Sequence, residues 1–221
     1  MQTDRNIYCI SGLGTDEQVF RNISLPGTRF VHLQWLNHEP KESLAAYSNR
    51  MAAQINEPDP IIIGLSFGGM IGIEIARQQA VKKLIIISGV KTSRELPRWM
   101  RVAGKWQMHK WFPVRSNMLT ERYDDRVLGI SNSEEKEMVS AYRKALDKKF
   151  QAWAIDRILT WKNDWYPEGT LHIHGDSDRM FPLRNITASH VINKGTHIMI
   201  YNRAEEIGRC LVDCLIKDAP R

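Results

Sequence analysis

Three segments of the sequence carry side chains that together could perform nucleophilic catalysis. The first is Gly-Leu-Ser-Phe-Gly at residues 64–68, which follows an apolar run at 61–63 and precedes a helix-competent stretch at 71–79. A serine between two glycines, placed between a strand and a helix, is typical of a nucleophile elbow, a sharp turn that exposes the hydroxyl. A Cβ at either glycine would collide across so tight a turn. The alternative is an ordinary strand-to-helix turn in which Ser66 only caps the helix.

A serine hydroxyl needs a base to take its proton and a third group to orient that base. His197 follows a strand-like run and a Gly-Thr dipeptide, just before the last helical stretch. Asp176 and Asp178 follow another strand-like run, at 170–174. The spacing to Pro182 favours Asp178 as the orienting acid, and Asp176 is the competing candidate.

The other histidines and the cysteines indicate no second site. The remaining histidines are interpreted as surface or strand residues: His32, His38, His109, His172, His174 and His190. They lack metal-ligand spacing to cysteines or acids, so no metal site is predicted. The three cysteines are interpreted as reduced packing residues of a cytoplasmic protein: Cys9, Cys210 and Cys214.

Short apolar runs alternate with helix-like segments, and this alternation determines where the three segments lie. Strands are predicted at residues 7–11, 29–35, 60–65, 83–88, 170–174 and 188–192. Helices are predicted at residues 17–23, 43–55, 71–79 and 203–217. Continuous apolar strands are typical of a parallel sheet buried on both faces. We therefore expect an α/β fold with a mostly parallel, doubly wound sheet of about six strands, whose chemistry gathers at the carboxyl ends of the strands.

Residues 90–166 break this alternation. Strand-like runs are absent there, and helical patterning fits residues 94–110, 133–146 and 148–161, with Ser133 predicted as the N-cap of the second helix. We interpret the stretch as a helical cap over the sheet edge. The whole chain, residues 1–221, is expected to form a single domain, with its core in residues 1–89 and 167–221.

Six of the seven tryptophans fall in this cap: Trp99, Trp106, Trp111, Trp153, Trp161 and Trp165. Aromatic residues in such a segment are more often packing residues than substrate contacts. Their number nevertheless suggests a largely apolar pocket, with Trp106 and Trp111 as candidate substrate-binding residues.

The net charge of +6 is concentrated at residues 91–115, which hold seven basic residues and one acid. This stretch is either a solvated helix face or a patch that attracts an anionic substrate or surface. No base-reading motif accompanies it, so a nucleic-acid partner is not expected.

No apolar run is long enough to cross a bilayer, so stable membrane insertion is not expected either. The polar first residues leave no room for a secretory signal, which favours a cytoplasmic protein. The oligomeric state stays open.

These motifs together resemble those of the α/β-hydrolase superfamily, and the similarity extends from residue 7 to about residue 216. Three features carry it: Gly-x-Ser-x-Gly at 64–68, a His-Gly-Asp-x-Asp-x-x-x-Pro-like turn at 174–182, and Gly-Thr-His at 195–197. The chain order Ser66, Asp178, His197 is the family's order of nucleophile, acid and base. The resemblance implies a compact member that lacks the first two strands of larger relatives and has a helical cap at about residues 90–166.

The resemblance also implies an oxyanion hole made by the backbone N–H groups of Leu13 and Phe67. The loop at residues 11–15 begins with Ser-Gly, where many relatives have His-Gly. The expected activity is that of a serine hydrolase acting, without metal or organic cofactor, on a carboxylic ester or thioester with a small, largely apolar acyl group. The same fold also supports lyase, acyl-transfer and carbon–carbon cleavage chemistry. A weakly catalytic ligand-binding or signalling protein is the remaining alternative.

Overall fold

The computed structural model describes residues 5–108 and 118–217, apart from the side chains of residues 118–121 and 216–217. No helix in these ranges is both long enough and apolar enough to span a membrane.

The centre of the molecule is a parallel sheet of six strands. The strands are β1 (Arg5–Ile10), β2 (Thr28–His32), β3 (Ile61–Leu65), β4 (Lys83–Ile87), β5 (Leu171–Gly175) and β6 (His190–Ile192). Their order across the sheet is β2-β1-β3-β4-β5-β6, and every neighbouring pair is parallel. The six predicted strands and the predicted fold class are thereby confirmed. The order reverses at β1, which is the mark of a doubly wound sheet.

Alternate residues of the central strands pack on opposite faces of the sheet. In β4, Leu84 and Ile86 belong to a core shared with helices on one face, whereas Ile85 and Ile87 belong to the core on the other. All four side chains are buried. The continuous apolar run in the sequence therefore reflects a strand covered on both sides.

The helices of the described residues follow the sequence predictions with several differences. They are α1 (Leu44–Ala52), α2 (Phe67–Gln78), α3 (Arg98–Lys105), α4 (Met118–Leu128), α5 (Ser133–Ala145), α6 (Lys148–Thr160), α7 (Met199–Asn202) and α8 (Ala204–Lys217), with short 3₁₀ helices at Glu17–Phe20 and Leu183–Asn185. Helix α4 was not predicted, and residues 17–23 contain only the 3₁₀ turn.

The predicted starts of α2 and α3 are each wrong by four residues, and the predicted N-cap of α5 is wrong. Helix α2 begins at Phe67, immediately after the elbow, although Gly68 and Gly69 are weak helix formers. Helix α5 is capped by Asn132, whose side chain accepts a hydrogen bond from the Glu135 N–H at 2.9 Å, and Ser133 is already its first helical residue. Asn and Ser are comparable caps, so the sequence did not distinguish them.

The insertion between β4 and β5 contains α3 to α6, and α6 attaches it to the sheet. Trp153 of α6 is buried and donates its indole N–H to the Glu42 carbonyl at 3.0 Å. Trp161, which follows α6, donates to Glu74 of α2 at 2.7 Å. Helix α3 packs on α6 at Gly104, where a Cβ would lie 1.8 Å from the Leu159 carbonyl oxygen. The interpretation of residues 90–166 as a cap stays a prediction.

Candidate active site

Ser66 lies on a strained turn between β3 and α2. Its backbone has φ 51° and ψ −113°, in the left-handed region of φ that a residue with a Cβ rarely adopts. Its N–H donates to the Ile87 carbonyl at 2.9 Å. A Cβ on Gly64 would lie 2.4 Å from the Gly68 carbonyl oxygen, and one on Gly68 would lie 2.3 Å from the Ile10 carbonyl oxygen. Both glycines are therefore required by close backbone approach.

Ser66, His197 and Asp178 form one hydrogen-bonded row. Ser66 Oγ lies 3.0 Å from His197 Nε2, and His197 Nδ1 lies 2.9 Å from Asp178 Oδ2. A carboxylate only accepts hydrogen bonds, so we assign the imidazole proton to Nδ1, which leaves Nε2 free to accept the serine proton. The three groups come from the ends of β3, β5 and β6, at one edge of the sheet.

Asp178, rather than Asp176, is the carboxylate against His197. It is 3% exposed, and its Oδ1 accepts the Phe181 N–H at 2.9 Å. Burial acts to raise the pKa of Asp178, but the charge and hydrogen bond of His197, the charge of His174 and the Phe181 N–H together hold it below the usual value. Asp176 is exposed and accepts a hydrogen bond from Ser177 at 2.9 Å.

A fully buried histidine, which the sequence analysis had treated as a strand residue, lies behind this carboxylate. His174 Nε2 is 2.7 Å from the Phe181 carbonyl oxygen and 3.6 Å from Asp178 Oδ2. Because a carbonyl only accepts, Nε2 carries the proton, and the imidazole braces the turn that holds Asp178. Burial lowers the pKa of His174. The signal in the sequence that could have indicated this contact is the spacing of four residues between His174 and Asp178, across a Gly-containing turn.

His172 precedes His174 on the same face of β5. Their ring centroids are 5.2 Å apart, and His172 is fully buried. Burial is the main cause that lowers the pKa of His172 to about 3, and the nearby charges of His174 and Lys91 act in the same direction. The imidazole is therefore neutral near neutral pH.

The loop after β1 is closed by its own polar groups. Ser11 Oγ donates to the Thr15 carbonyl at 2.8 Å, and the Trp35 indole N–H donates to Ser11 Oγ, also at 2.8 Å. Ser11, at the position where many relatives have histidine, thus ties the loop to the region after β2. Leu13 lies within this loop. Phe67 is the first residue of α2, so its N–H has no acceptor within the helix. Their use as oxyanion donors stays a prediction.

An aromatic cluster packs beside the elbow. The Trp35 ring stacks on Phe67, with centroids 5.8 Å apart and an interplanar angle of 12°. Phe150 of α6 lies 5.5 Å from Trp35, and Trp153 lies 5.6 Å from Phe150. The helical insertion therefore contributes apolar rings next to a residue of the predicted oxyanion hole. The sequence analysis did not identify Trp35 or Phe150.

Of the two tryptophans predicted to bind substrate, only Trp106 lies in the described residues, and it is not part of this cluster. Trp111 lies outside the described residues. Trp106 directly follows α3, is 65% exposed, and has Lys105 Nζ 5.8 Å from its ring centroid. A substrate contact for either residue stays a prediction.

The described residues contain no metal-ligating cluster, and two of their cysteines have thiols of raised pKa. No group of three or more His, Cys, Asp or Glu side chains there could hold a metal ion. Cys9 is buried, and burial raises the pKa of its thiol; the same holds for the partly buried Cys210. These thiols are poor nucleophiles compared with the Ser66–His197 pair.

Comparison with known proteins identifies the fold of this chain. No protein-family model matches the sequence, and no curated protein matches it. Solved structures do match, at low sequence identity. A thermophilic esterase from Thermogutta terrifontis has a TM-score of 0.70 at 14% identity, over 97% of this chain and 90% of that one.

Two further structures match over nearly the whole chain. A meta-cleavage product hydrolase from Pseudomonas fluorescens IP01 has a TM-score of 0.69 at 14% identity, over 97% of this chain and 92% of that one. An alpha/beta hydrolase fold protein from Burkholderia ambifaria has a TM-score of 0.68 at 16% identity, over 95% of this chain and 90% of that one. The chain therefore has the α/β-hydrolase fold.

Proposed function

We propose that this chain, which has the α/β-hydrolase fold, is a serine hydrolase that cleaves a carboxylic ester or thioester with a small, largely apolar acyl group. The observation that carries the proposal is the hydrogen-bonded row from Ser66 Oγ through His197 to Asp178, with links of 3.0 and 2.9 Å. Such a row converts a weak hydroxyl into a nucleophile at neutral pH.

Acylation begins when Ser66 Oγ attacks the substrate carbonyl and passes its proton to His197 Nε2. The carboxylate of Asp178 keeps the imidazole in the tautomer that can accept this proton and stabilises the imidazolium that forms. Negative charge develops on the former carbonyl oxygen. The N–H groups of Leu13 and Phe67 are the candidate donors to this oxyanion, each lowering the barrier by roughly 3 kcal/mol.

Departure of the leaving group completes acylation, and deacylation follows with the same groups. His197 gives its proton to the leaving alkoxide or thiolate, and the acyl group stays on Ser66. Water then enters, His197 takes one of its protons, and the hydroxide attacks the acyl-enzyme carbonyl. The bond from Ser66 Oγ to the acyl carbon breaks, His197 returns the proton to Ser66 Oγ, and the carboxylic acid leaves. Each step uses only groups of this chain, the substrate and water.

The apolar acyl group is inferred from the rings around the elbow. Trp35 contacts both Phe67 and Phe150 beside Ser66, and such rings favour apolar parts of a ligand. The fold neighbours named as esterases are consistent with this class of substrate.

An activity-based probe tests the nucleophile directly. A fluorophosphonate should label the wild-type chain rapidly, and Ser66→Ala should lose labelling completely. Ser133→Ala, on α5, is the matched control and should label like the wild type. Labelling that survives in Ser66→Ala, or no labelling of the wild type, would overturn the proposal and favour a ligand-binding protein.

Carbon–carbon hydrolysis is the second candidate because one fold neighbour is named as a meta-cleavage product hydrolase. A panel of p-nitrophenyl esters, thioesters and one meta-cleavage product separates the two reactions. Esters or thioesters turned over with the higher kcat/KM support the leading proposal. Preferred turnover of the meta-cleavage product supports the second.

A further inference from the structure

Helix α3 exposes an apolar stripe that the proposed chemistry does not use. Trp99 is 61% exposed, Val102 50% and Trp106 65%, and all three lie at i, i+3 and i+7 spacing. The Trp106 N–H still bonds to the Val102 carbonyl at 3.1 Å, so the helical arrangement extends to Trp106. Residues at this spacing lie on one side of a helix. Two exposed tryptophans on one side indicate a contact surface rather than random exposure.

A basic stripe runs directly beside the apolar one. Arg98, Arg101 and Lys105 are all exposed and repeat the same i, i+3, i+7 spacing, displaced by one residue. Successive helical residues are about 100° apart, so the two stripes are adjacent. The one acid between residues 94 and 108 is Glu95, which is buried and accepts the Lys91 N–H.

The third side of α3 holds it to the rest of the molecule. Met100 and Gly104 are buried, and Gly104 lies against the Leu159 backbone of α6 so closely that a Cβ would be 1.8 Å from its carbonyl oxygen. Because Met100 and Gly104 face the rest of the molecule, the two stripes on the other sides of α3 are exposed.

We propose that the stripes Trp99/Val102/Trp106 and Arg98/Arg101/Lys105 of α3 dock this chain onto an anionic lipid surface. The apolar side chains enter the boundary between headgroups and acyl chains, where tryptophan is favoured. The arginines and the lysine extend from the adjacent stripe to the anionic headgroups, with their methylene stems along the apolar layer. Charge complementarity thus selects the lipid class.

The shape of the surface favours a membrane over an acidic protein. The stripes lie on one helix of eight residues, about 12 Å long, and present a convex ridge rather than a groove. A fluid bilayer adapts to such a ridge. With only three apolar side chains, the contact is reversible and depends on the added charge attraction.

Vesicle co-sedimentation tests the proposal independently of hydrolysis. The full chain carries Ser66→Ala, so that it cannot degrade lipid through the proposed nucleophile. Vesicles of phosphatidylcholine alone are compared with vesicles that also contain phosphatidylglycerol. We expect at least about 10-fold tighter binding to the anionic vesicles at low salt, with the difference shrinking at high salt.

Two sets of substitutions separate the stripes. Trp99→Ser with Trp106→Ser should weaken binding to anionic vesicles at least about fivefold. Arg98→Gln, Arg101→Gln and Lys105→Gln together should remove the preference for phosphatidylglycerol, at about fivefold per charge. Circular dichroism and the midpoint of thermal unfolding verify that each variant is folded.

A matched triple variant controls for net charge. Lys144→Gln, Lys148→Gln and Lys149→Gln remove the same charge from exposed positions of α5 and α6 and should leave vesicle binding nearly unchanged. An equal loss in this control, full binding by the double tryptophan variant, or no sedimentation of the parent with either vesicle would overturn the proposal. Self-association of a parent that does not sediment would assign the stripe to a protein contact instead.

Discussion

The elbow at Ser66 and the helix α3 are both held by glycine contacts, yet they present very different surfaces. At the elbow, Gly64 and Gly68 let backbones meet, and the half-buried Ser66 between them is hydrogen-bonded to His197, which is hydrogen-bonded to the buried Asp178. At α3, Gly104 fixes the helix on α6, but the outward sides carry exposed tryptophans and cations. The same device thus serves two purposes. One contact places Ser66 within hydrogen-bonding distance of His197, and the other leaves tryptophans and cations of α3 exposed on the surface.

The largest effect on kcat/KM is expected from substitution of Asp178, the buried member of the row of Ser66, His197 and Asp178. Asp178→Asn should lower kcat/KM for an ester by about 10⁴-fold, because the amide favours the wrong tautomer of His197. Asp176→Asn removes an exposed carboxylate of the same turn and should leave kcat/KM nearly unchanged. Steady-state kinetics on the two purified variants measures the difference. The reverse ranking would mean that the buried row is not the catalytic one.

The buried, neutral His172 makes the free energy of unfolding depend on pH. The pKa of His172 is about 3 in the folded protein and 6.5 in the unfolded chain. The stability that the neutral imidazole contributes to the folded state is therefore complete above pH 6.5 and is lost as the pH falls toward 3. Between about pH 7 and about pH 4.5 the loss is roughly 2 to 3 kcal/mol. In His172→Gln, the free energy of unfolding should fall by that much less over the same pH interval.

Urea unfolding at several pH values measures this pH dependence. The groups that face His172 are His174, Lys91 and Asp178, and all three are unchanged in the variant. The slope of stability against pH is therefore the readout, since it is independent of any constant cost of the substitution. Identical slopes in the wild type and His172→Gln would contradict the prediction.

The two glycine contacts can be compared directly. Gly68→Ala and Gly104→Ala should each lower the free energy of unfolding by about 1–3 kcal/mol, because each Cβ meets a backbone carbonyl. Gly68→Ala should also lower kcat/KM, since it displaces the elbow, whereas Gly104→Ala should weaken vesicle binding. Gly208→Ala on α8, whose Cβ would have no atom closer than 3.8 Å, is the control and should be neutral or stabilising. If all three variants had the same free energy of unfolding, kcat/KM and vesicle binding, close backbone approach would not be the reason for glycine at residues 68 and 104.

The smallest effect is expected at His174, which acts through Asp178. His174→Leu removes the donor to the Phe181 carbonyl and should lower kcat about tenfold with KM little changed, because the carboxylate shifts within its turn. His174→Gln keeps an N–H donor and should restore part of kcat. A loss confined to KM, or no rescue by glutamine, would show that His174 only fills space.

Much of the fold could be predicted because its signals are local. Strands β1, β3 and β4 contain short apolar runs, and buried parallel strands leave such runs in the sequence regardless of their neighbours. Helices of the insertion were harder to predict. The unpredicted α4 and the short α3 lie in segments where polar and apolar residues are mixed, and Asn132 and Ser133 are equally plausible caps.

The sequence alone determined the sheet, the elbow, and Ser66 and His197 with two candidate aspartates, since each depends on residues within a few positions of one another. Only the tertiary structure decided which aspartate faces His197, that His174 braces it, that Trp35 ties Ser11, and which side of α3 faces outward. These outcomes depend on distances between segments up to 131 residues apart. Such distances follow from how strands and helices pack, and packing is a property of the whole chain rather than of any one segment.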